Sequence, residues 1–318
     1  MENPTGWPFL EPFPTSHNYT WGVPGDSSHP TTLVQWVHGA RLRTLPLAVA
    51  PVVLGSASAV LYRSFDVVIA LLALAVALGL QIGVNYSNDY SDGVRGTDKH
   101  RVGPARLTGS GAAKPEAVVA VAAVFFGVAG VAGVVIVVLT GEWWLLGVGA
   151  LALVAAWFYT GGKRPYGYRG LGELAVFVFF GLVATIGTAY VQVGFVPWET
   201  WLTGSAAGFF AVAVLMENNL RDIEQDAEAG KKTLAVIIGD RATRILTVVA
   251  LGIPYLLLGA LSLFFFFAPY VFITLLLAGP TAFIVLTAQT PKELVLSLQL
   301  SSANALVFAG GLSLAIAF

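Results

Sequence analysis

Long uncharged stretches alternate with short polar ones along most of this chain. Apolar runs occupy 45–62, 66–88, 115–139, 143–160, 171–194, 201–220, 245–267, 270–288 and 296–317. Each approaches the roughly 20 residues that a helix needs to cross a bilayer. None of them carries a charge in its middle. The pattern predicts an all-α integral membrane protein with nine transmembrane helices. Residues 1–35 break the pattern, with six prolines and no lysine or arginine in the first 32. They lack the basic start and apolar run of a signal peptide. They read as an irregular cytoplasmic extension preceding a transmembrane domain over 36–318.

The placement of basic residues gives an orientation. Nine spans put the loops after the second, fourth, sixth and eighth runs on the same face as the chain start. Sixteen of the 17 Lys and Arg residues fall on that face, and only Arg63 falls on the other. Cytoplasmic loops are the ones enriched in Lys and Arg. The expected location is therefore the cytoplasmic (inner) membrane of a prokaryote, with the N-terminus and the polar loops inside the cell.

Composition narrows the chemistry further. Of the 318 residues, 56% are hydrophobic and 11% charged, against about 25% charged in a soluble domain. Cysteine is absent, which excludes thiolate metal sites, disulfides and cysteine nucleophiles. A net charge of −1 supplies no basic field for nucleic acid.

Two acidic stretches stand out at span ends. "NYSNDYSDGVRGTD" (85–98) follows eighteen uncharged residues, and "ENNLRDIEQDAEAGKKTLAV" (217–236) ends the sixth run. Asn85, Asp89 and Asp92 align with Asn218, Asp222 and Asp226, four spans apart on one membrane face. The repeat suggests two parallel halves related by an axis along the membrane normal. Spacings of three and four place each trio on one helix face. Carboxylates facing one another in a partly dry site repel unless a cation intervenes. All-oxygen ligands suit Mg²⁺, which commonly shares its shell with substrate phosphates. Lys and Arg in the loops suit a diphosphate. A lipid diphosphate, tail in the bilayer and head at the interface, fits both features. The third loop, "AWFYTGGKRPYGYRGLGELAVFVFFG" (156–181), adds Tyr159, Lys163 and Arg164. Its cations suit a diphosphate or an acidic acceptor, and its rings suit a passing carbocation.

"NDYSDGVRGTD" together with "NNLRDIEQDAEAGKKTLAV" resembles the UbiA superfamily of intramembrane aromatic prenyltransferases. The stretches 39–55, 83–111, 159–181 and 217–240 resemble most the branch acting on 1,4-dihydroxy-2-naphthoate in menaquinone synthesis. The resemblance implies nine helices around a central cavity with a lateral opening for the lipid tail. It implies transfer from a polyprenyl diphosphate to that acceptor with loss of CO₂, using Mg²⁺, in two ions. Carried over by position, Asn85, Asp89, Asp92, Asn218, Asp222 and Asp226 are the implied metal ligands. Asn88, Arg221, Arg164 and Arg43 are implied to contact the diphosphate or the acceptor. The aspartates with Tyr159 and Lys163 are the implied catalytic set. Gly96 stands where many relatives have a further Asp, and Asp98 lies two residues on. Other acceptors, such as 4-hydroxybenzoate or homogentisate, remain open at this point. So does a cation-coupled transporter, although its ion sites belong nearer the bilayer midplane.

Overall fold

The computed structural model describes residues 31–97 and 106–318. The chain folds as α1 Leu33–Gly39, α2 Pro46–Leu61, α3 Val67–Arg95, α4 Pro115–Thr140, α5 Leu145–Phe158, α6 Gly172–Val176, α7 Ala184–Val193, α8 Glu199–Arg221, α9 Ile223–Glu228, α10 Leu234–Ile238, α11 Asp240–Leu261, α12 Leu275–Thr287 and α13 Pro291–Ala317. A π-helical stretch, Phe177–Val183, joins α6 to α7, so that 172–193 form one apolar helix. A 3₁₀ turn, Ala268–Thr274, leads into α12.

All nine apolar runs contain helix, but they do not all span by length. Among the described residues, seven helices are long and apolar enough to cross a membrane, and α1–α2 form an eighth as a pair bent by 49°. The expected fourth span, 143–160, contains only the 14-residue α5. At 1.5 Å per residue α5 is about 21 Å long, short of the hydrocarbon thickness. Gly162, at φ 73°, turns the chain soon after α5 ends. Length therefore supports seven or eight crossings where nine were expected. The first helix also starts at Leu33, inside the segment expected to be irregular.

Local sequence explains the ends of the long helices. Asp66 opens α3 by accepting the Val68 and Ile69 amides at 2.7 and 3.1 Å, satisfying donors that a helix start leaves open. Gly96, at φ 74°, closes it, a conformation that costs other residues energy. Thr290 and Glu293 form a capping box at the start of α13, with Pro291 in the first turn.

The core lies between α2, α8, α11 and α13. Phe210 on α8 meets Phe308 on α13 edge-on at 5.2 Å, and Tyr255 on α11 meets the same ring at 5.6 Å. The buried Tyr255 hydroxyl is satisfied by Thr274 and by Asn304, each at 3.0 Å. Small residues set the closest helix approach. A Cβ on Gly181 would sit 2.5 Å from the Gly208 Cα, so the π-helical stretch packs backbone to backbone on α8. The remaining side of α8, with α2–α5 and the 172–193 helix, encloses a cavity.

Candidate active site

The cavity has a volume of about 550 Å³. Leu47, Val52, Val76, Val137, Leu153, Phe179 and Phe180 line most of it. One end is polar, and residues from the last turns of α3 and α8 line it together. Asn85, Asn88 and Asp92 reach it from α3, while Asn218, Asn219, Asp222 and Asp226 reach it from α8 and α9. The α3 helix stays regular through these polar turns, and its Asn85, Asn88, Asp89 and Asp92 are all buried. Both acidic motifs thus face one space, from positions more than a hundred residues apart.

Basic and phenolic groups surround the carboxylates. The Lys231 ammonium lies 3.3 Å from Asp92 and 3.5 Å from Asp226, bridging the two motifs. Gly230, at φ 72°, reverses the chain after α9. The Lys231 amide then donates to the Asp226 carbonyl at 2.8 Å, and the Lys232 amide to the Tyr168 carbonyl at 3.0 Å. Tyr168 donates its hydroxyl to Asp92, and its ring lies beneath both Arg95 and Lys231 at 5.5 and 4.9 Å. Arg106 stands 3.3 Å from Asp92. Arg221 grips Asp222 with two nitrogens at 2.8 and 2.6 Å and reaches Asn218 at 2.7 Å. Burial pushes the Asp226 carboxyl up to about 6; Lys231 opposes that rise, while Asp222 and Asp92 add to it. Burial, reinforced by Asp92, raises the Tyr168 phenol above its usual value.

The cavity gathers Asn85, Asn88, Asp92, Asn218, Asp222, Asp226, Tyr159 and Arg43 from the expected set. Four expected residues lie elsewhere. Asp89 turns away from the cavity, and its carboxylate accepts the Leu107 and Thr108 amides, both at 2.8 Å. Neighbouring helix positions are separated by about 100°, and Asn88, accepting from Thr160 at 2.6 Å, takes the inward place. Lys163 and Arg164 sit exposed on the loop after α5, outside the lining. Arg221 backs Asp222 from within the protein rather than facing the cavity. Asp98 lies outside the described residues.

Asn219, Tyr168, Lys231 and Arg106 join the site without having been expected from the sequence. Arg106 and Lys231 stand in the basic, glycine-punctuated loops that follow the two acidic motifs, and Tyr168 stands in the glycine-rich loop after α5.

Among the described residues, no three His, Cys, Asp or Glu side chains form a compact metal cluster. Mg²⁺ does not require one, since it binds through one or two carboxylates plus waters and substrate phosphates. Asp92, Asp222 and Asp226, with the neighbouring amide side chains, supply the hard oxygen donors that such an ion takes. The site's donor chemistry therefore fits it.

A polar, charge-lined head and an apolar body define an intramembrane site for an amphiphile in a multi-pass membrane protein. The model of the UbiA prenyltransferase family matches residues 48–294, and the chain belongs to that family. It is 53% identical over 215 residues to a 1,4-dihydroxy-2-naphthoate octaprenyltransferase of Mycobacterium tuberculosis, covering 68% of this chain and 73% of that one. The protein of the same name from Haemophilus influenzae is 37% identical over 82% of this chain and 89% of its own. The fold resembles a UbiA homolog from Aeropyrum pernix, with a TM-score of 0.65 at 17% identity over 83% of this chain and 96% of that one. It also resembles one from Archaeoglobus fulgidus bound to GPP and Mg²⁺, with a TM-score of 0.58 at 12% identity over 86% and 98%.

Proposed function

We propose that this protein transfers a polyprenyl group from a polyprenyl diphosphate to 1,4-dihydroxy-2-naphthoate, with decarboxylation, at the cytoplasmic side of the membrane. The observation that carries the reading is the convergence of Asp92, Asp222 and Asp226 at the polar end of one apolar cavity. The names of the mycobacterial and Haemophilus relatives support the choice of acceptor. The GPP- and Mg²⁺-bound structure of the Archaeoglobus homolog supports the class of donor.

Asp92, Asp222 and Asp226, helped by Asn88 and Asn218, would hold Mg²⁺. When bound, the ion neutralises charge on the diphosphate oxygens and so favours their departure. Lys231 and Arg106 stand beside the same carboxylates and provide mobile positive charge for the leaving group. As the allylic C–O bond breaks, the diphosphate takes the electron pair and the prenyl carbon becomes cationic. Tyr159 and Tyr168 line the same cavity, and an aromatic face turned toward such a cation would stabilise it. The apolar lining keeps out water that would otherwise capture it. The electron-rich naphthoate ring then forms the C–C bond at its carboxylate-bearing carbon. Departure of the carboxylate as CO₂ returns its electron pair to the ring. Arg43, which lines the cavity, is the side chain we assign to the acceptor carboxylate.

The test is a reconstituted assay with labelled polyprenyl diphosphate, 1,4-dihydroxy-2-naphthoate and Mg²⁺. Product should appear with the wild type and require both Mg²⁺ and the acceptor. Asp92→Asn and Asp222→Asn should each cost on the order of a hundredfold or more in rate. Prenylation of 4-hydroxybenzoate in place of the naphthoate would overturn the acceptor and leave prenyl transfer standing. No turnover with any aromatic acceptor would overturn the reaction itself.

A further inference from the structure

Asp89 sits in the middle of the first acidic motif but does not face the cavity. It is 2% exposed, and both of its carboxylate oxygens are engaged, one by the Leu107 amide and the other by the Thr108 amide. A carboxylate accepting two backbone N–H groups is a strong, geometrically defined clamp. The clamped segment is fitted to α3 in two further ways. Leu107 is buried against Tyr86 in a small cluster of its own. A Cβ on Gly93 would meet the Thr108 side chain at 2.4 Å, so only glycine lets the segment lie this close. Immediately before the clamp stands Arg106, whose guanidinium reaches Asp92 at 3.3 Å and lines the polar end of the cavity.

We propose that Asp89 is a positioning residue that docks the 106–108 segment on α3 and so sets the Arg106 guanidinium where the substrate diphosphate lies. The inference deepens the proposed function and rests on it. It separates two aspartates that look equivalent in sequence: Asp92 offers its carboxylate to the cavity, while Asp89 spends both oxygens on the backbone. Losing Asp89 should then resemble losing Arg106 and should not resemble losing a metal ligand.

The experiment uses the full-length protein in nanodiscs, with Asp89→Asn, Arg106→Ala, their double variant, and Asp92→Asn as a comparator. Inorganic pyrophosphate with Mg²⁺ is the binding probe, followed by calorimetry. Apparent KM for the prenyl donor and the Mg²⁺ concentration giving half-maximal rate are measured in parallel. Asp89→Asn and Arg106→Ala should each weaken pyrophosphate binding and raise KM by about tenfold. The double variant should be no worse than either single, since both remove the same contact. The Mg²⁺ requirement at saturating donor should shift in Asp92→Asn alone. Hydrogen exchange at the Leu107 and Thr108 amides should accelerate in Asp89→Asn and stay at the wild-type rate in Arg106→Ala.

Gly93→Ala displaces the same segment without touching a carboxylate. It should reproduce the KM effect, which keeps the inference testable if Asp89→Asn folds poorly. Multiplying effects in the double variant, or an Mg²⁺ shift in Asp89→Asn matching that of Asp92→Asn, would overturn it. A wild type that binds no pyrophosphate at all would overturn the functional reading too, and that result is visible before any variant is made.

Discussion

The Lys231 ammonium lies 3.3 Å from the Asp92 carboxylate, although the two residues are 139 positions apart. Through the same nitrogen Lys231 also reaches Asp226. One cation therefore holds together the two acidic motifs that line the head of the cavity.

Removing that cation should leave buried carboxylates facing each other. Lys231→Met is expected to lower stability by about 3 kcal/mol in the absence of divalent cation, as for other broken buried pairs. Mg²⁺ should restore much of the loss, so the cation-induced rise in Tm is larger in the variant than in the wild type. A thermal melt with and without Mg²⁺ reads this directly. Equal Mg²⁺ shifts in the two proteins would show that Lys231 is not the internal counter-ion.

Asp226 gives the site a dependence on pH. Its carboxyl is raised to about 6, chiefly by burial. A carboxyl raised on folding stabilises the protein while protonated, and that contribution is lost as pH rises through the raised value. Without divalent cation, Tm should therefore fall through about pH 6. Added Mg²⁺ should oppose the fall above that pH and do little below it, because proton and metal compete for the same oxygens. Asp226→Asn should flatten both trends.

Tyr168 acts through two parts of its side chain. Tyr168→Phe removes the hydroxyl bond to Asp92 and keeps the ring beneath Arg95 and Lys231. It should cost about 1 kcal/mol in kcat/KM, the usual worth of one hydrogen bond. Tyr168→Leu also removes the cation–π contacts and should cost about 1 kcal/mol more. Equal losses in steady-state kinetics of the two variants would assign the whole effect to the hydroxyl.

Gly181 tests the packing behind the cavity wall. A methyl group there meets only backbone, the Gly208 Cα at 2.5 Å and the Gly204 carbonyl at 2.6 Å. Gly181→Ala should destabilise the protein by about 1–3 kcal/mol, as overpacked cores do, seen as a lower Tm. Since Phe179 and Phe180 line the cavity from the same stretch, KM for the prenyl donor should rise as well. A Gly187→Ala variant meets nothing within 4 Å and, lying inside a helix, should not lower Tm.

Much of the architecture is written in the length of the apolar runs, because a bilayer sets a minimum span and each long helix meets it. The face of the second motif was legible too, since spacings of three and four bring Asn218, Asp222 and Asp226 to one cavity, whereas in the first motif only Asn85 and Asp92 of the expected trio line it. What escaped follows from angles and turns. Asp89 occupies the edge of its face, and only the return of the 106–108 segment decides which way it bonds. Lys231 arrives through a left-handed glycine after a short helix, and Tyr168 through a 3₁₀ turn after Pro165; neither carries a periodic signal. The π-helical stretch at Phe177–Val183 is also invisible in hydropathy, as every residue in it is apolar or glycine. The short α5 looked like a span because aromatic residues extend its apolar run beyond its helix.

The division of the cavity into a charged head and a greasy body bears on how a turnover ends. On the proposed function, the donor would be held at both ends before reaction, by its diphosphate and by its tail. After the proposed reaction the prenylated product would have no phosphate left for the charged end to grip. Its only remaining preference is for hydrocarbon, and the surrounding lipid offers the same. Departure would then be partition into the bilayer, driven by loss of the anchor. The freed pyrophosphate, wholly ionic, has the opposite preference and leaves toward water.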